Sequence, residues 1–62
     1  MKKFSVQLKI YKYLNLRYRE EELFVAKNRI DAKERAITFT SSTNWAFDLT
    51  PIPDLRTVKQ IK

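Results

Sequence analysis

Hydrophobic residues alternate strictly with polar ones at the start of the chain. Phe4, Val6, Leu8 and Ile10 are separated by Ser5, Gln7 and Lys9, with Tyr11 following. A period of two places every second side chain on one face, so this stretch predicts a half-buried strand. A second, less tidy alternation follows: Phe24 and Ala26 against Leu23, Val25 and Lys27. The pattern then changes period. Ala32, Ala36 and Phe39 recur at helical spacing, with Ile30 and Ile37 further round. This predicts one amphipathic helix of about three turns. Asn28 stands where an N-cap is needed, and Asp31 three residues on, at the acid position of a capping box. The run from Thr38 to Thr43 is all hydroxyl residues apart from Phe39, so the helix is expected to stop near Thr40. Trp45, Phe47 and Leu49 alternate again, suggesting a short extra strand at residues 45–49. Pro51 and Pro53 exclude a central strand through Thr50 to Asp54. A last strand is expected over Arg56 to Lys62, with Val58 and Ile61 facing in.

The predicted class is therefore α+β: a three-stranded antiparallel sheet in ββαβ order with one helix on one face, in a single small domain spanning 1–62. Between the first two strands the only good turn residue is Asn15, and glycine is absent from the chain. A loop of three to five residues centred on Asn15 puts Val6 opposite Phe24 and Phe4 opposite Ala26. In that register Lys9 faces Glu21 and Tyr11 faces Arg19 on the outer side, an ion pair and a cation–π pair, while Glu20 and Glu22 turn inward. One helix covers only one face of such a sheet. The other face is expected to carry Gln7, Lys9, Tyr11, Arg19, Leu23 and Val25.

Composition narrows the chemistry. The chain of 62 residues contains no histidine, cysteine or glycine. That removes imidazole bases, His or Cys metal ligands, disulfides and glycine-rich phosphate loops. Glu20, Glu21 and Glu22 alternate faces, and Asp48 and Asp54 flank loop or proline positions, so no pair of carboxylates is set up for acid–base work. No enzyme activity, no metal and no cofactor are expected. No stretch is apolar enough to span a bilayer, and the apolar run after Met1-Lys2-Lys3 is broken by Gln7, Lys9 and Lys12. The expectation is a cytoplasmic protein, complete from Met1, with no membrane partner.

The charge is unevenly placed. The formal net charge is +6. Lys2, Lys3, Lys9, Lys12, Arg17 and Arg19 precede the first acid, and acids and bases balance from Glu20 onward. Tyr11, Tyr13 and Tyr18 lie among these bases. One reading is a solvated basic hairpin that keeps a small protein soluble. The other is an anion-facing surface, in which bases attract at long range and tyrosines offer flat faces. The candidate partner- or nucleic-acid-binding residues are Lys9, Tyr11, Lys12, Tyr13, Arg17, Tyr18 and Arg19. Trp45 fits either core filling or an interface anchor.

The segment from Phe24 to Ala36, a strand running into a capped helix, precedes a final strand around Val58-Lys59-Gln60-Ile61. In this layout the chain resembles small phage-encoded proteins that disable host machinery, such as anti-CRISPR proteins and inhibitors of host RNA polymerase. The resemblance implies a non-enzymatic inhibitor or adaptor that docks onto a host protein or nucleoprotein complex. It transfers no site residue, and the positive charge departs from the acidic, DNA-mimicking members of that group. Direct nucleic-acid binding, with Lys2 and Lys3 joining the phosphate contacts, and a self-assembling homo-oligomer are the alternatives.

Overall fold

The structure, a computed structural model, describes residues 1–42 and 48–61. Three strands and one helix follow in the order β1 (Lys2–Lys12), β2 (Asn15–Ala26), α1 (Arg29–Ser42) and β3 (Leu49–Ile61). The strands form one antiparallel sheet with β1 in the centre, in the order β2-β1-β3. The alternation in β1 becomes its two faces. Phe4, Val6, Leu8 and Ile10 are all buried, the last three completely. Side chains of that size each contribute about 1.5–3 kcal/mol on burial. Phe4 and Val6 cluster with Ala26, Val58 and the helix residues Ala32 and Ala36, and Phe24 and Leu55 pack against the edge of the cluster. The alanines have no side chain beyond Cβ, which lets the helix backbone come close to the sheet. Ile30 and Ile37 lie outside the contact, 69% and 45% exposed, so the apolar stripe of the helix is narrower than its sequence suggests.

The helix starts as the capping residues dictate. Asn28 Oδ1 accepts the Asp31 backbone N–H at 2.8 Å, and Asp31 Oδ2 accepts the Lys27 N–H at 3.0 Å. Asp31 also pairs with Arg35 one turn on, at 3.0 Å. The Lys27 N–H, followed by the Arg35 side chain, holds the Asp31 carboxyl below its ordinary carboxylate range. The helix runs two residues past Thr40. Thr40 Oγ1 donates to the carbonyls of Ala36 and Ile37, and Ser42 Oγ to that of Thr38. The hydroxyls are thus absorbed within the last turns and do not compete with them.

The β1–β2 register differs from the expected one by two residues. Phe4 faces Phe24, Val6 faces Glu22, and Lys9 faces Arg19 instead of Glu21. The cause is the turn. Lys12 pairs with Asn15, so the connection is only Tyr13-Leu14, and Tyr13 takes the left-handed conformation (φ 56°) that glycine usually supplies. A bulge at Arg17 then shifts the pairing by one residue, leaving Tyr11 opposite Leu16 and not Arg19. The expected Lys9–Glu21 and Tyr11–Arg19 pairs do not form. Up to the bulge, from Lys2 to Ile10, both registers have the same parity, so the faces there are as expected: Glu20 and Glu22 stand on the helix side, opposite Leu8 and Val6.

The third strand is longer than Arg56 to Lys62. It begins at Leu49 and takes in both prolines, with Pro51 opposite Ile10 and Pro53 opposite Leu8. Proline is tolerated there because β3 is an edge strand. Between Lys59, opposite Ser5, and Asp54, opposite Gln7, β3 carries extra residues that bulge out of the ladder. Thr57 closes the gap. Its Oγ1 accepts the Gln7 N–H at 3.0 Å and donates to the Asp54 carbonyl at 2.7 Å. Val58 faces the core as expected, whereas Ile61 pairs with Lys3 on the open face. The short strand expected at residues 45–49, with Trp45 and Phe47, falls mostly outside the described residues. Asp48 is a turn residue (φ 73°), and Leu49 already belongs to β3.

Candidate functional site: the basic hairpin end

The molecule is elongated, 35 × 19 × 14 Å. An eleven-residue strand at about 3.4 Å per residue spans almost that length. The basic residues of the first third are therefore split between two ends. Lys2 and Lys3 stand opposite Ala26 and Val25, at the start of the helix, while Lys12, Arg17 and Arg19 stand at the hairpin turn.

At the turn the structure gathers most of the residues singled out from sequence, and distributes them around the tip instead of on one face. Lys12, Tyr13, Arg17, Tyr18 and Arg19 are all exposed. Tyr18 is opposite Ile10 on the helix side, and Arg19 is opposite Lys9 on the other. Among the described residues Lys12, Arg17 and Arg19 enter no ion pair. Two candidates play a different part. Tyr11 is half-buried on the central strand between Leu16 and Thr50. Lys9 is drawn inward: its Nζ lies 3.6 Å from Asp54, whose side chain is only 10% exposed and also faces Arg56 at 3.7 Å. Lys9 keeps the open face expected of it, but its acid partner is Asp54 and not Glu21. Asp54, which no sequence pattern singles out, supplies the countercharge.

Beside Tyr13 and Tyr18 the tip exposes two leucines, Leu14 and Leu16, that are not among the candidates expected from sequence. Leu14 is 95% exposed and Tyr13 73%; Leu16 and Tyr18 are each 43% exposed. The available signal was that the shortest possible turn between Lys12 and Asn15 has to present Leu14 at its apex. The tip is thus two leucines and two tyrosines bordered by Lys12, Arg17 and Arg19, which pair with no acid among the described residues.

Among the described residues no cluster of acids could hold a metal ion. No described helix is long and apolar enough to cross a membrane. Comparison of the chain with protein-family models, with curated proteins and with solved structures finds no match.

Proposed function

We propose that this chain is a non-enzymatic, cytoplasmic binding protein whose hairpin tip docks onto an acidic surface of another protein. Its role would be that of an inhibitor or adaptor of the kind phages direct at host nucleic-acid-processing complexes. The observation that carries the reading is Leu14, an aliphatic side chain 95% exposed at the apex of a turn, with Tyr13 beside it and Lys12, Arg17 and Arg19 around it. Water does not favour that arrangement, and an interface with an apolar centre and a charged rim does. Leu14 also favours a protein partner over a nucleic acid. Single-strand nucleic-acid surfaces rely on flat rings for stacking and on basic side chains for phosphates, and an aliphatic apex adds to neither.

The test is a photo-cross-linking side chain placed at Leu14, with exposed Lys2, at the opposite end of β1, as the control position. A discrete protein adduct is expected from Leu14, unaffected by nuclease and lost when Arg17→Glu and Arg19→Glu are introduced together. Adducts no stronger than those from Lys2 would sink the proposal. An adduct abolished by nuclease would transfer the site to the nucleic-acid reading, with Lys12, Arg17 and Arg19 on phosphates and Tyr13 and Tyr18 stacking.

A further inference from the structure

Strand β2 is an edge of the sheet, and its two halves differ. The half nearer the tip carries Arg17, Arg19 and the three glutamates, charges of the kind that discourage pairing with another strand. The half near the helix, Leu23-Phe24-Val25, has no charge, no proline and no bulge, and it pairs only with β1 among the described residues. Beside this uncharged stretch lies a groove of about 600 Å³, walled by residues 23–25 of the strand and by the 31–39 side of α1. Phe24 and Phe39 meet edge to face across it, with ring centroids 5.6 Å apart. Leu23 and Val25, on the opposite face of the same strand, are 54% and 52% exposed.

The electrostatics of the groove run against those of the molecule. On the helix wall Asp31 is already paired with Arg35, while Glu34 is exposed and enters no ion pair among the described residues. On the strand, Glu22 and Glu20 follow Phe24 at two-residue spacing on the same helix-side face, again without ion pairs. An acidic track therefore extends from an aromatic floor in a chain whose net charge is +6.

We infer that the Leu23–Val25 edge and its groove form a second binding site, which takes an extended peptide of a partner protein as an added strand. The peptide carries an apolar residue followed, at two-residue intervals, by basic ones. The backbone of the incoming strand pairs with the open edge of β2. Its apolar side chain rests on Phe24 and Phe39, and the next side chains on that face meet Glu22, Glu20 and Glu34. Side chains of the opposite set lie along Leu23 and Val25. Main-chain pairing gives affinity, and the spacing of floor and carboxylates selects the sequence.

The test uses three synthetic peptides: one alternating threonine with isoleucine and then lysines, one with glutamates in place of the lysines, and the basic one with alternate backbone amides N-methylated. Titrations are followed by two-dimensional NMR of the labelled full chain. The basic peptide is expected to shift the amides of Leu23 to Val25 and of Glu34. It should bind at least about tenfold more tightly than the acidic one, and Glu22→Lys with Glu34→Lys should reverse that order. N-methylation should abolish binding. Equal affinity for the basic and acidic peptides overturns the inference, as does no shift up to millimolar peptide, or shifts confined to the hairpin tip. Shifts of the β2 amides that depend on protein concentration without peptide also overturn it, since a second copy of the chain then occupies the edge. Leu14→Ser leaves the peptide titration unchanged, so this site and the hairpin tip fail independently.

Discussion

Tyr13 shows how one residue sets the register of a whole hairpin. Its positive φ closes the turn in two residues, so that Lys12 pairs with Asn15. A side chain with a Cβ pays about 1–2 kcal/mol for that conformation, and glycine does not. Part of the gain is lost because glycine is freer in the unfolded chain. Tyr13→Gly is therefore expected to raise stability by up to about 1 kcal/mol, read as a higher urea midpoint at unchanged slope. The same substitution removes a ring from the proposed interface, so cross-linking from Leu14 should weaken while stability rises. Opposite signs in the two measurements would identify Tyr13 as a residue kept for contact at a cost in stability. The turn was not legible in the sequence because the statistical signal favoured Asn15. No pattern announces that a tyrosine will take glycine's place.

The elements themselves were legible in proportion to how much local chemistry specifies them. Strand β1 is readable because its alternation is unbroken, and the start of α1 because Asn28 and Asp31 cap it directly. The sequence pattern shows strand β3 only from Arg56 onward, because prolines argue against strands in general but not at an edge. Its bulge is invisible for a different reason: the Thr57 hydroxyl bonds to Asp54 and to Gln7, the latter fifty positions away. That contact makes a prediction. Thr57→Val keeps the shape and the β propensity but leaves the Gln7 N–H and the Asp54 carbonyl without their hydroxyl partner. A loss of about 1–2 kcal/mol is expected in chemical denaturation, and Thr57→Ser should restore most of it. If Thr57→Val is neutral, the hydroxyl does not hold the bulge together.

At the scale of the whole molecule, the sequence shows where the positive charge lies along the chain but not where it lies in space. Away from the bulge at Arg17 the faces of the hairpin follow from parity, and parity survives a two-residue error in register. Which charges meet depends on the register itself and on β3, and these rest on long-range pairing. Lys9 and Arg19 look equivalent in sequence, yet they separate in the fold. Lys9 sits between Arg19 on β2 and Asp54 on β3, and Asp54 is the more buried partner. Lys9→Glu would set a carboxylate against a largely buried carboxylate and is expected to cost about 1–2 kcal/mol, discounted for the residual exposure of Lys9. Arg19→Glu removes a like-charge neighbour of Lys9 at an exposed position and should leave the denaturation midpoint within about 0.5 kcal/mol of the parent. In cross-linking from Leu14 the order should reverse. Arg19→Glu weakens capture because it changes the rim of the tip without disturbing the fold. Lys9→Glu acts only to the extent that it unfolds the protein, and its effect on capture should vanish once occupancy is corrected for the folded fraction. If Lys9→Glu still reduced capture after that correction, Lys9 would belong to the contact surface despite its pairing with Asp54, and the boundary drawn here around the tip would be too narrow.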